Sequence, residues 1–280
     1  DLNFMKQWAR AIRREYPDFF LFAETWVHGP GVQSFFGENR MTVPAQGTRM
    51  SGVTDFQLYY AINEALNQDQ GWTSGAARLY FTLAQDYLYQ HPEGNVVFLD
   101  NHDLSRFYSV VEEDLRRFKM GVAFLLTTRG VPMIYYGTEI LMKNMADPDG
   151  LVRKDFPGGW SQDSVDKFIE TGRTRQEQEA FDWVSTLAQF RKNSPALTAG
   201  RLLQFVPEDG VYVYARIHPD QKVLVLLNTQ DRPNTVDLSR FREVLSEHSM
   251  FRNVLEDNGE QSLPEKLGLS AYGLEVWELQ

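Results

Sequence analysis

Acidic residues gathered behind short apolar runs are the first feature of this 280-residue sequence with chemical content. Phe19-Phe20-Leu21-Phe22-Ala23 leads into Glu24-Thr25-Trp26, and Gly52-Val53 leads into Thr54-Asp55. Asn95-Val96-Val97-Phe98-Leu99 leads into Asp100-Asn101-His102-Asp103, with Arg106 beyond, and Val131–Tyr136 leads into Gly137-Thr138-Glu139. Any one of these acids alone reads as a helix cap or a solvated loop residue. Asp100-Asn101-His102-Asp103 resists that reading, because it sets an imidazole and carboxylates where packing needs neither. Paired carboxylates at one mouth suit glycoside cleavage: one stays protonated to donate to the leaving oxygen, and another is ionised to stabilise positive charge at the anomeric carbon. Burial and like-charge repulsion push two such groups apart in pKa and so divide the roles.

Positioning these groups requires strands and helices in a particular alternation. The apolar runs lack polar alternation, which predicts strands covered on both faces, as in a parallel sheet. Between them the spacing is helical: Phe4, Trp8, Ala11 and Ile12 over Phe4–Glu15, with Asp1 or Asn3 to cap and Pro17 to stop it. Further helices are expected over Leu58–Leu66, Ala76–Leu88, Leu115–Leu126 and Gln176–Lys192, the last with Phe181, Val184, Leu187 and Ala188 inward. Strand-helix alternation of this kind predicts parallel βα units, whose functional groups cluster past the carboxyl ends of the strands. The pattern changes after Gly200. Val211–Ala215 and Val223–Leu227 read as an antiparallel pair, with turns at Glu208-Asp209-Gly210, His218-Pro219-Asp220 and Asp257-Asn258-Gly259, and a closing strand over Gly273–Leu279. The expected organisation is an α/β unit over residues 1–200 and an all-β domain over residues 201–280.

Composition narrows the partners. A formal net charge of −10 repels polyanions, so no nucleic-acid partner is expected. No apolar run is long enough to span a membrane, so no membrane partner is expected either. The absence of cysteine excludes a disulfide framework, a thiol nucleophile and a thiolate metal site, and leaves the compartment open. Aromatic residues, 13% of the chain, fit a sugar cleft because ring faces stack on pyranose faces, although a bulky core accounts for them equally well. Asp147-Pro148-Asp149-Gly150 lacks the spaced ligands of a calcium loop and reads as a turn. His28 and His91 have no second histidine at ligand spacing and read as surface residues. Phe156-Pro157-Gly158-Gly159 does not directly follow a strand, so it reads as a shaped cleft loop and not a phosphate loop.

Two of these segments carry a family resemblance. Phe22-Ala23-Glu24-Thr25-Trp26 and Phe98-Leu99-Asp100-Asn101-His102-Asp103 resemble two short motifs of the α-amylase family. Arg106, Tyr135-Tyr136-Gly137-Thr138-Glu139, Arg153 and Asp155-Phe156-Pro157-Gly158-Gly159-Trp160 extend the resemblance towards its neopullulanase and cyclomaltodextrinase group. The resemblance implies the second half, strands five to eight, of a (β/α)8 TIM barrel followed by an antiparallel β-sandwich with Greek-key connections. It implies Glu24 as general acid/base, Asp103 as the carboxylate that holds sugar hydroxyls, and His102, Trp26, Asn101 and Arg106 as substrate-binding residues. Ala23 departs from the family's glycine before the acid, a change that an extended backbone tolerates.

The implied activity is retaining hydrolysis of α-1,4, and also α-1,6, glucosidic bonds in starch-type glucans, pullulan or cyclodextrins. That reaction requires no cofactor; a structural calcium is compatible with the family, though nothing in these residues indicates one. Asp1-Leu2-Asn3-Phe4 carries neither a start methionine nor a signal pattern, so the chain is expected to begin inside a longer protein. The motif holding the nucleophilic Asp is expected upstream of Asp1, which leaves the chain inactive alone. Asp1 itself matches the start of a helix and not that motif. Open strand edges then predict pairing with the missing N-terminal half or with a second copy. The alternatives are a non-catalytic binding or scaffold relative, disfavoured by retention of Glu24, His102 and Asp103, and a transglycosylase sharing the same carboxylates.

Overall fold

The N-terminal helix shows how the local rules act. In the computed structural model, which describes residues 1–37, 50–256 and 258–280, α1 spans Leu2–Glu15 and is capped by Asp1. The Asp1 carboxylate accepts from the Asn3 and Phe4 backbone N–H at 2.7 and 3.2 Å. Met5, Ala9 and Ile12 form its packing stripe, against Leu21, Ala23 and Met50. Phe4 and Trp8, one position round the helix, are exposed.

Four short strands follow: β1 (Phe22–Ala23), β2 (Gly52–Val53), β3 (Val96–Phe98) and β4 (Val131–Met133). β1 pairs with β2 and β3 with β4, both in parallel. A parallel bridge from Thr54 to Val96 joins the two pairs, so the spatial order follows the chain. The strands are shorter than the apolar runs that announce them. Gly52 is required by close approach: a Cβ there would lie 1.8 Å from the Gly94 carbonyl oxygen. Helices α2 (Pro30–Phe36), α3 (Phe56–Asn67), α4 (Ala76–Leu83), α5 (Phe107–Val110), α6 (Leu115–Thr127) and α7 (Arg175–Asn193) connect and cover them. α7 buries Ala180, Val184, Leu187 and Arg191, while Phe181 and Ala188 are half-buried. A Thr174–Glu177 capping box fixes its start.

After α8 (Pro195–Ala199) the chain turns to antiparallel sheet. Its strands are β5 (Arg201–Gln204), β6 (Val211–His218), β7 (Gln221–Asn228), β8 (Asn234–Asp237), β9 (Met250–Asn253), β10 (Glu260–Ser262), β11 (Lys266–Leu269) and β12 (Leu274–Leu279). A six-stranded sheet runs in the order β10-β9-β12-β7-β6-β5, and β8 and β11 form a separate pair. The larger sheet is covered on both faces. Val211, Val213 and Ala215 pack with Leu224, Leu226, Val236 and Leu269 beneath the small sheet. Tyr212, Tyr214, Val223 and Val225 face the α/β layer and share a core with α3, α6 and α7. A short helix α9 (Arg242–Leu245) closes the outer core. The expected turn at Asp257-Asn258-Gly259 includes Asp257, which lies outside the described residues.

Two buried arginines converge on the end of α6, Arg191 from α7 and Arg216 from β6 of this sheet. Arg191 donates to the carbonyls of Leu126, Thr128 and Gly130, and Arg216 to those of Thr127, Thr128 and Gly200. The last carbonyls of a helix have no partners within it and carry its negative dipole end, so cations there satisfy both needs.

A buried carboxyl ties β3 to β4. Asp100, 1% exposed, accepts from the Phe107 N–H at 2.9 Å and from the Thr138 hydroxyl at 2.9 and 3.2 Å. Burial pushes its pKa up to about 6, against the pull of those hydrogen bonds and of Arg106. The folded chain therefore holds a proton on Asp100 in a range where the unfolded chain, titrating near the ordinary value of ~3.9, has lost it. Unfolding free energy falls as pH rises from about 4 to 6, by up to ~3 kcal/mol from this group, and the effect is complete above that window. Urea unfolding at pH 4, 5, 6 and 7 checks this: Asp100→Asn should flatten that part of the profile relative to wild type. Parallel profiles would refute the assignment.

Candidate active site

Glu24 is the first residue beyond β1. The Thr25 N–H donates to the Thr54 hydroxyl at 2.9 Å, which holds the chain against the end of β2. Ala23 stays extended and half-buried in β1, so the methyl in place of the family's glycine meets no backbone obstacle. The Glu24 side chain is exposed, and among the described residues no group pairs with it. Trp26 is half exposed, lies flat on Phe56 at 4.9 Å and donates its indole N–H to the Tyr60 hydroxyl at 2.7 Å. Its ring therefore presents one face to Phe56 and keeps the other open.

Asp103 emerges from the end of β3. Asp100 anchors the segment from below, and the buried Asn101 side chain accepts from the Asp103 N–H at 2.9 Å, closing a tight turn. This turn leaves His102 exposed and Asp103 one-third exposed, with His102 Nε2 3.4 Å from the carboxylate. Arg153 completes the group: its Nε donates to the His102 carbonyl at 2.7 Å and its Nη2 to the Asp103 carboxylate at 2.8 Å. Sequence reasoning gave Arg153 no role, because an ion pair across 50 residues leaves no periodic signal.

Arg106, named among the substrate-binding residues, has its side chain buried at 1% exposure. Its guanidinium lies 4.0 Å from the Tyr135 ring centroid and 4.9 Å from that of Tyr136, and donates to the Tyr136 carbonyl at 2.6 Å. The Tyr136 hydroxyl donates onward to the Lys154 carbonyl at 2.8 Å, next to Arg153. Arg106 thus props the rim from below.

The other acids behind the strands are absorbed by structure. Asp55 caps α3 through the Leu58 N–H and joins a buried ion pair with Arg129 at 2.6 Å, which Asp86 shares from the other side at 2.6 Å. Burial raises the Asp86 carboxyl above its usual range, with Arg129 opposing. Glu139 is half-buried beside Tyr136 and Phe181, and burial raises it as well. Glu24 and Asp103 remain. They stand past the carboxyl ends of β1 and β3.

The glycine-rich loop Phe156–Gly159 is no phosphate cradle. The Asp163 carboxylate already takes the Gly158 and Trp160 N–H groups at 2.7 and 3.0 Å. In the Asp147–Gly150 turn, Asp149 stands 3.6 Å from Arg153. His91 pairs with Glu93 at 3.2 Å, and His28 is exposed beside Tyr60.

Comparison with known proteins identifies the family. Residues 1–198 match the model of the α-amylase catalytic domain, and residues 202–277 that of the cyclo-malto-dextrinase C-terminal domain. A cyclomaltodextrin glucanotransferase of Niallia circulans is 30% identical over 227 residues, 81% of this chain and 28% of the relative. An α-amylase of the same organism is 29% identical over 226 residues, 81% of this chain and 38% of the relative. Among solved structures, the acarbose complex of an α-amylase from Geobacillus thermoleovorans superposes with a TM-score of 0.79 at 25% identity, covering 100% of this chain and 57% of that one. The chain thus spans from about a quarter to somewhat over half the length of these relatives. With a catalytic-domain match over residues 1–198 and a C-terminal-domain match over residues 202–277, the chain belongs to the α-amylase family.

Proposed function

We propose that this chain supplies the acid/base half of a retaining α-glucan hydrolase site. The observation that carries the reading is the sorting of the strand-end acids: Asp55 and Asp100 are consumed by buried contacts, while Glu24 is exposed and Asp103 one-third exposed past the ends of β1 and β3. Glu24, unpaired among the described residues, protonates the leaving glycosidic oxygen and then takes a proton from the incoming water. Asp103, held by Arg153 and His102, accepts sugar hydroxyls and favours the positively charged transition state. Trp26 offers its open face to a glucosyl ring, and His102 hydrogen-bonds the ring held by Asp103. The reaction needs no cofactor.

In this reading β1–β4 are four consecutive strands of a (β/α)8 barrel. Their in-order parallel pairing supports it, as do the exposed Phe22 on β1 and Val131 on β4, which suit further strands at both edges. The nucleophilic carboxylate belongs to residues outside these 280, about 5 Å from Glu24 in the assembled site. Transfer is the second reading, favoured by the glucanotransferase relatives. Products from maltotriose, pullulan and cyclodextrin separate the two: longer oligosaccharides denote transfer, shorter ones alone denote hydrolysis. In either case proton NMR should show the α-anomer formed first; the β-anomer first would contradict a retaining site.

Arg153 and Asp103 are both partly exposed, so their pairing adds little to stability but sets the carboxylate's direction. In the complete protein, Arg153→Ala should lower kcat/KM on maltoheptaose roughly tenfold through a small misplacement of a reacting group, while leaving the thermal midpoint nearly unchanged. An unaltered kcat/KM would show that Asp103 is oriented without it.

A further inference from the structure

Glu24 is exposed, and among the described residues nothing holds its carboxylate, so its direction comes from the backbone beneath it. Peptide units are rigid planes joined by two soft dihedrals at each residue. Fixing the planes on either side of Glu24 therefore fixes the direction in which its side chain leaves the chain. Thr54 takes hold of both planes. Its N–H donates to the Ala23 carbonyl at 2.9 Å, and its hydroxyl accepts from the Thr25 N–H at 2.9 Å. Thr54 is itself anchored from the far side: it bridges in parallel to Val96, and the next N–H, that of Asp55, donates to the Val96 carbonyl at 2.8 Å.

The residues after Thr54 extend the grip. Phe56 lies flat against Trp26 at 4.9 Å. Gln57 clamps the loop that carries His28, donating to the Val27 carbonyl at 2.5 Å and accepting from the Gly29 N–H at 2.8 Å. One run of four residues, Thr54 to Gln57, thus moulds the segment from Ala23 to Gly29. Within that grip, the contact on the peptide that follows Glu24 is the Thr54 hydroxyl. Thr25 and Thr54 are each 5% exposed. A Thr25 N–H deprived of that oxygen is cut off from water, and the chain must shift to satisfy it.

We infer that Thr54 is a positioning residue for the general acid, its hydroxyl setting the angle at which Glu24 meets the leaving oxygen. The inference rests on the acid/base reading of Glu24 above. The complete protein, with the nucleophile present, tests it through kcat/KM on two substrates. Maltoheptaose needs a proton on its leaving oxygen, whereas 4-nitrophenyl maltoside releases a phenolate that departs without one. Thr54→Val keeps the shape of the side chain and removes the hydroxyl. It should lower kcat/KM on maltoheptaose about tenfold and on the 4-nitrophenyl maltoside by no more than about twofold. Thr54→Ser, which restores the hydroxyl, should stay within about twofold of wild type on both. In a Glu24→Gln background Thr54→Val should change neither value, because the group it aims is gone. Thr54→Ala reads the same contrast should Thr54→Val melt early. Unchanged kcat/KM without the hydroxyl, equal losses on the two substrates, or a Thr54→Ser variant as impaired as Thr54→Val overturns the inference. If Glu24→Gln alone is strongly impaired on maltoheptaose in the same assay, the acid/base reading survives that outcome. If Glu24→Gln is near normal, the reading falls and takes the inference with it.

Discussion

The site depends on one buried carboxyl. Asp100 cannot be hydrated, so its oxygens must find donors within the chain, and they find the Phe107 N–H and the Thr138 hydroxyl. The first contact fixes the start of α5, and the second fixes the turn after β4. Asn101, His102 and Asp103 are suspended between the end of β3 and these anchors, so the direction of the Asp103 carboxylate follows from where Asp100 is tied. The same knot places Tyr135 and Tyr136 over Arg106, and Tyr136 over the Arg153 segment. A buried polar group left without partners is expensive, which makes such a knot an all-or-none feature of the fold.

Asp55 tells the same story one strand away. Its pairing with Arg129, shared by Asp86, is dry enough that removing Arg129 leaves buried carboxylates without a counter-charge, at a cost of about 3–5 kcal/mol. Acids of the same type at equivalent strand ends thus follow two fates. Those facing the packed layer become struts, and Glu24 and Asp103 keep contact with solvent. Arg191 on α7 and Arg216 on β6 apply the same logic, with the unsatisfied carbonyls at the end of α6 acting as the anions.

How much of this was legible in the sequence depends on the range of the interaction. Apolar runs located three of the four parallel strands, the weaker Gly52–Phe56 segment supplied the other, and the acids behind them were visible at once. Strand lengths were not, because apolar character continues past pairing: Phe19 and Phe20 belong to the first run yet are exposed, and only Leu21 and Ala23 meet α1. Helix α1 was legible as a helix, but its packing stripe was not, since Phe4 and Trp8 outrank Met5 and Ala9 in hydrophobicity while facing solvent. Arg106 looked like a cleft residue from its place in the motif; its burial under Tyr135 depends on a contact from the next strand. Arg153 and the Gln57 clamp on the His28 loop likewise join distant segments that no periodicity connects.

The central claim is that Glu24 acts as the acid on the leaving oxygen, and the leaving group itself tests it. In the complete protein, with the nucleophile present, Glu24→Gln should cut turnover of maltoheptaose by about 10²–10⁴-fold, the usual worth of a general acid. The loss should be far smaller in the glycosylation step of a 4-nitrophenyl maltoside, whose phenolate departs without protonation. Equal losses on both substrates, or near-normal turnover of maltoheptaose, would remove Glu24 from that role.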